Sequence, residues 1–271
     1  MFHRTIDTAR GVAISHGKAS AARPLTRSDG LGFSLSIVTG PAGGPHELWY
    51  KHHWEANYVI AGELLLEEVK TGRTWDLAPG DMYCVGPTDR HRVTAKTPMT
   101  VMSVFNPPIN GDETHDEEGT YPPTGNEPAG QPSMFVVTPG ELKARGRAKT
   151  SVSGNAALLR YLLAEDGLGF TWSDVHFKDG VVSNLWYRNH WEANYVFSGS
   201  GTIEHHGTGE TLKLAPGVMY CVGPDDRHTL TAGKDLQLVS IFNPPLAGDE
   251  LHDAEGGYPP TGPVPPGPGG A

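Results

Sequence analysis

The sequence predicts an all-β protein made of two tandem jelly-roll β-barrels. Three observations predict it: a turn-rich composition, a long internal repeat, and short runs of alternating apolar residues inside each copy. Among 271 residues, 35 are Gly and 23 are Pro, while only 19% are charged. That balance favours short strands joined by tight turns over long helices. Hydrophobic residues make up 37%, enough to build a core, and the length suits two domains of ordinary size.

The repeat is read directly. DGLGF occurs at 29–33 and 166–170, and HWEANYV at 53–59 and 190–196. LAPG-x-MYCVGP-x-DRH fills 77–91 and again 214–228. FNPP, GDE-x-HD and YPPTG begin at 105, 111 and 121, then at 242, 248 and 258. Every pair lies 137 positions apart, with no gap from Arg23 and Arg160 to Gly125 and Gly262. A period this long is a domain rather than a solenoid unit. The expected organisation is a first barrel over 1–125, a linker over 126–133, and a second barrel over 134–262. The Pro/Gly-rich tail at 263–271 has too little apolar surface to pack and is expected to be disordered.

Within a copy the punctuation is that of strands. LLLEEV (64–69), WDLAPGDMYCV (75–85) and RHRVTA (90–95) are short β-prone runs broken by Gly and Pro. MTVMSVF (99–105) and LQLVSIF (236–242) alternate apolar with small or polar residues, as half-buried strands do. One modest helix is expected at PGELKARGR, 139–147.

Charge and cysteine content exclude several classes. A formal charge of −10 repels phosphate backbones, so nucleic acid is not an expected partner. No run reaches the length of a membrane span, and the first residues lack a signal-peptide core. A cytoplasmic protein acting on a small molecule is the expectation. Cys84 and Cys221 occupy equivalent places in separate copies, which argues against a disulfide.

Two clusters could carry chemistry. Glu55 and Glu192 each stand seven residues before a Gly, and a Pro-Gly turn and a His (His91, His228) follow. This order resembles the two motifs of the cupin superfamily, although the usual His-x-His ahead of the glutamate is missing. His53 and His190, two residues before the glutamates, belong near the site or in the core. The second cluster is GDETHD and GDELHD. If that segment is a strand, Glu113 and His115, like Glu250 and His252, share one face and could pass protons near neutral pH. An exposed acidic loop is the plain alternative.

The longer pattern, WY-x-x-HWEA, PG-x-MY, D-x-H, FNPP and G-x-E-x-HD-x-EG-x-YP, closely resembles ectoine synthase, a single-domain cupin. The resemblance covers nearly all of each copy. It implies a metal held by Glu55, Tyr83 and His91 in one copy and by Glu192, Tyr220 and His228 in the other. Carboxylate, phenolate and imidazole suit Fe(II), with Zn, Mn or Ni as alternatives. It places Tyr50, Tyr187, His115, His252, Glu113 and Glu250 in acid–base roles, Phe105 and Phe242 as pocket walls, and Arg23 and Arg160 as anchors for a substrate carboxylate. The implied reaction is a cyclisation with loss of water on an N-acyl diamino acid or a relative of it.

Three departures from the family fall on the substrate side: Ala19/Ala156, Val38/Val175 and Ser103/Ser240 replace a Trp, a Thr and a Cys. They point to retained chemistry on an altered substrate. An iron-dependent bicupin oxygenase or isomerase, and a non-catalytic binding module, stand as the other readings. The duplication also suggests a pseudo-dimer within one chain, open to further homodimerisation.

Overall fold

The computed structural model describes residues 1–8, 11–14, 17–151 and 153–269. These divide into two compact units, Asp7–Glu141 and Met1–Ile6 with Leu142–Gly270. Each unit carries one seven-stranded and one four-stranded antiparallel sheet, the two walls of a jelly-roll barrel.

In the first unit the larger sheet runs in the order Phe135–Val137, Met82–Val85, Trp54–Ala61, Met99–Asn106, Ser34–Gly40, Ala19–Leu25 and Val12–Ile14. The smaller runs Gly43–Leu48, His91–Ala95, Leu64–Glu68 and Thr74–Leu77. The second unit repeats this plan. Its larger sheet is Phe2–Thr5, Val218–Val222, Trp191–Ser198, Gln237–Asn243, Thr171–Phe177, Ala156–Leu162 and Ala148–Thr150. Its smaller sheet is Val182–Leu185, His228–Ala232, Gly201–His205 and Thr211–Leu214.

The units do not follow the repeat boundaries at their openings. Phe2 pairs with Cys221, so the first strand of the chain completes the second unit's sheet. Phe135 pairs with Cys84 and completes the first. Both strands open on Met-Phe-x-x-Thr, at 1–5 and 134–138, so the two edges receive similar partners. The run at 75–85 is two strands separated by the Pro-Gly turn. The expected helix is present but short, Pro139–Ala144.

Alternation along the strands fills each barrel. Val59, Leu64 and Leu66 are fully buried between the sheets of the first unit, as are Val196, Ile203 and Leu230 in the second. Both cysteines are buried thiols.

The tail differs from the expected disorder. The indole N–H of Trp191 donates to the Pro265 carbonyl at 3.1 Å, and Gly267 is buried beside the same ring. Gly130, in the segment read as a linker, sits over Trp54 in the equivalent way. A Cβ at Gly130 would lie 1.9 Å from the Trp54 ring and one at Gly267 2.2 Å from Trp191. Only glycine allows this approach, at φ of +59° and +75°. Burial of tryptophan, rather than any apolar residue of the tail itself, holds both segments.

Candidate active site

Register fixes what faces each barrel interior. On Trp54–Ala61, Glu55 and Asn57 share one face. Glu55 lies opposite Val85 and Phe105, and Asn57 opposite Tyr83 and Ser103. Tyr83 is therefore the diagonal neighbour of Glu55 on the inner face. His91 opens the strand His91–Ala95 of the smaller sheet, on the same buried face as Val93 and Ala95. The second barrel reproduces this with Glu192 opposite Val222 and Phe242, and Asn194 opposite Tyr220 and Ser240.

The histidine tautomer follows from its neighbour. His91 Nδ1 lies 2.9 Å from the Asp89 carbonyl, which can only accept, so Nδ1 carries the proton. Nε2 is then a bare lone pair, buried with no hydrogen-bond partner. His228 does the same on the Asp226 carbonyl at 2.8 Å. Burial holds the imidazoles at about 4, so both are neutral at pH 7.

The buried glutamate of each barrel is a weak acid. Burial pushes Glu55 up to about 7, and the polar side chains of Asn57 and Ser103 only partly offset it. Glu192 is pushed to the same value, against hydrogen bonds that include one from the Ser240 hydroxyl. Tyr83 and Tyr220 are pushed well above 10, first by burial and then by the adjacent glutamate. Each of these groups would gain from a cation. An orphaned imidazole nitrogen, a buried carboxyl and a buried phenol form a donor set that fits a divalent ion. Among the described residues, no group of three or more His, Cys, Asp and Glu could hold a metal. Any set of three donors here would have to include the tyrosine.

A second group surrounds Tyr50. Its hydroxyl is 2.8 Å from His115 Nε2, and burial, with Glu55 next, keeps the phenol protonated well above 10. A protonated phenol one hydrogen bond from an imidazole has the geometry of a proton relay. His115 stacks on Tyr121 at 4.6 Å, and Phe105 meets Tyr50 edge-on at 5.2 Å. In the second barrel Tyr187 and His252 are 3.3 Å apart, with His252 stacked on Tyr258 at 4.3 Å. Burial lowers His252 from its ordinary value, partly opposed by Asp253.

Arg23 is buried against this cluster. One amino group donates to the Glu113 carbonyl at 2.8 Å and to the Tyr121 hydroxyl at 3.2 Å. Its Nε and Nη1 are buried without a hydrogen-bond partner. Such a cation is short of acceptors, which a ligand carboxylate would supply. Arg160 Nη1 is orphaned in the same way.

The second barrel holds a pocket of about 590 Å³ that opens to solvent, lined by Arg160, Glu192, Tyr220, Tyr187, Phe242 and His252 among others. Anchor, carboxyl, phenol, relay and wall therefore face one space. His228 lies on the buried face of its strand with Leu230, which also lines that space.

Comparison with known proteins shows the family. The family model described as ectoine synthase matches residues 2–125 and 134–262. The chain belongs to the ectoine synthase family. The L-ectoine synthase of Desulfatibacillum aliphaticivorans is 45% identical over 107 residues, 40% of this chain and 82% of that protein. That of Marinomonas sp. (strain MWYL1) is 38% identical over 125 residues, 46% of this chain and 97% of that protein. Each relative thus matches one copy's worth of chain. The oxalate decarboxylase of Lactobacillus farciminis aligns over 92% of this chain and 87% of its own, with a TM-score of 0.65 and 15% identity. At that identity the likeness shows a shared bicupin fold. The protein is an enzyme of the ectoine-synthase type, a lyase.

Within this family framework, several side chains take places that the sequence left open. Segment 111–120 is a loop, not a strand, so Glu113 and His115 do not share a strand face. Glu113 turns back to accept the Gly111 and Asn110 amides, the former at 2.8 Å. Burial favours the protonated carboxyl, but these amides and Arg23 outweigh it and hold the Glu113 pKa below the ordinary glutamate value. Glu250 braces Ala247 and Gly248 likewise. His53 and His190 lie behind the phenylalanine walls, hydrogen-bonded to Thr124 and Thr261. Tyr121 and Tyr258 were missed as site residues, although YPPTG in both copies carried the signal. Asn57 and Asn194, inside HWEANYV, were legible in the same way.

Proposed function

We propose that each barrel closes a ring in an N-acyl diamino acid, with attack of the free amine on the acyl carbonyl and loss of one water. One observation carries the reading: each barrel holds a buried imidazole nitrogen without a hydrogen-bond partner, together with a buried carboxyl and phenol on the inner face of its larger sheet. Fe(II) is the metal we assign to Glu55, Tyr83 and His91, and to Glu192, Tyr220 and His228, with Zn, Mn or Ni as substitutes. When bound, such an ion would polarise the acyl oxygen.

The chain's own residues do the rest. Arg23 and Arg160 hold the substrate carboxylate with donors that have no protein acceptor. Phe105 and Phe242 press the flexible chain into a folded conformation, a contribution of several kcal/mol when reacting atoms are held in line. Tyr50 with His115, and Tyr187 with His252, move the amine proton toward the departing oxygen. Glu113 and Glu250 position the loop that carries those histidines, and Glu113 also steadies Arg23. A small-molecule substrate in a cytoplasmic setting completes this reading.

The test is metal analysis of the purified protein, then anaerobic incubation with terminally N-acetylated diaminobutyrate and relatives. A product lighter by one water is expected, lost in the paired Glu55→Ala and Glu192→Ala variant together with its metal. Oxygen consumption coupled to substrate loss, or full metal occupancy in that variant, would overturn the proposal.

A further inference from the structure

The pocket of the second barrel is larger than an acetylated diamino acid requires, and one part of its lining is apolar. Its lining falls into rows across the large sheet, fixed by register. Arg160, Ser173, Ser240, Asn194 and Tyr220 form one polar row, each opposite the next on adjoining strands. Glu192 and Phe242 stand on one side of that row. On the other side comes Leu158, Val175 and Leu238, and beyond it Ala156 opposite Phe177. All five of these apolar residues line the cavity, joined from the facing sheet by Leu185 and Leu230.

Rows on one face are two residues apart, roughly 7 Å. The aliphatic channel therefore continues about 13 Å past the anchor row. Leu158, Phe177 and Leu185 are only partly buried against the core, and Val182 at its edge is 56% exposed. The volume points the same way. A cavity of about 590 Å³ equals about twenty waters at ~30 Å³ each. Terminally acetylated diaminobutyrate has about eleven non-hydrogen atoms, none needing more room than a water, so at least ~40% of the space would stay unfilled.

We propose that the second barrel takes a diamino acid whose acyl group is an extended aliphatic chain, lying in the channel from Ser240 toward Ala156 and Phe177. This rests on the ring-closure reading. The bonds made and broken are unchanged: the free amine forms a C–N bond to the acyl carbon, water leaves with the acyl oxygen, and a cyclic amidine bearing the alkyl chain remains. The channel only selects which acyl group sits at the reacting carbon.

The experiment measures binding of diaminobutyrate acylated at the terminal nitrogen with acetyl, butanoyl or hexanoyl groups. The full-length protein is used, with the first site silenced by Glu55→Gln. Calorimetry on the metal-free protein reads affinity without turnover, and product analysis on the metal-loaded protein reads chemistry. Affinity should rise up to three- to fourfold per added methylene, exceeding tenfold from acetyl to hexanoyl. Val175→Phe should abolish that gain while acetyl binding persists. The milder Ala156→Leu, at the far row, should penalise hexanoyl more than butanoyl, and circular dichroism confirms that each variant is folded. Affinity that is flat or falls with chain length while the acetyl compound binds and cyclises would overturn the inference and leave the reaction class standing. If none of the three binds or cyclises, the reaction class fails and this inference with it.

Discussion

Replacing Glu192 by Gln should stabilise the metal-free protein at alkaline pH, although it removes a group central to the site. The reason is the buried carboxyl. Glu192 ionises at about 7 rather than 4.5 because burial disfavours its charged form. A group whose folded value is raised contributes stability that is fully present below the unfolded value. That stability is lost as pH climbs through the folded value. Moving from 4.5 to about 7 corresponds to roughly 3 kcal/mol, at ~1.4 kcal/mol for each tenfold. The chelated wild-type protein should therefore lose about 3 kcal/mol from this residue between pH 4.5 and pH 8.5. Glutamine keeps the shape of the protonated acid and cannot ionise, so the variant should match wild type near pH 4.5. At pH 8.5 it should exceed wild type by about 3 kcal/mol, on the order of 10 °C in the melting of one barrel. Thermal scans of both proteins with chelator at the two pH values give the difference directly, and other titrating groups cancel. A variant equally or less stable than wild type at pH 8.5 would refute the claim that an uncompensated buried carboxyl sits there. Added metal should reverse the ranking for the second barrel, because only wild type keeps the full ligand set there.

Three further outcomes are expected. Metal uptake near pH 6 should release protons from Glu55 and Glu192, which are still largely protonated there, and from the phenols of Tyr83 and Tyr220 as they bind, while His91 and His228 release none. Calorimetry in buffers of different ionisation enthalpy counts them. Arg160→Lys should weaken substrate binding ~10–100-fold, since the planar fork is lost while the charge stays. The readout is KM against kcat. Gly267→Ala should peel the tail from Trp191, because the new Cβ would lie 2.2 Å from the ring at a φ of +75°. Limited proteolysis would then trim the tail, with about 1–2 kcal/mol of stability lost.

The sequence displayed much of the site because duplication marked it. Glu55, Tyr83 and His91 recur with identical spacing, and strand periodicity alone puts the first two on one inner face. Arg23 was legible as a candidate site residue, but not its orphaned nitrogens, which depend on the loop that folds over it. Glu113 was misplaced for the same reason. Its role is set by its own backbone amides, and loop conformation leaves no periodic trace. Trp54 and Trp191 hid the order of the linker and tail, since the packing partner lies 74 residues from Pro265 in the second copy. The partner of the opening strand was illegible on principle. A duplicated barrel offers two nearly identical edges, Met82–Val85 and Val218–Val222, and no local pattern says which one Phe2–Thr5 joins.

That strand has a consequence for synthesis on the ribosome. Phe2–Thr5 emerges well before its partner Val218–Val222, which comes more than two hundred residues later, roughly 10–40 s at ordinary elongation rates. Meanwhile Met82–Val85 emerges as an unfilled edge of the same shape, waiting for Phe135–Val137. The nascent chain must avoid the wrong, earlier match. Its two candidates differ where it matters: His3 and Arg4 on the first strand, Val136 and Val137 on the second. A charged, soluble strand can wait in water, and an apolar one captures the first barrel as soon as it appears.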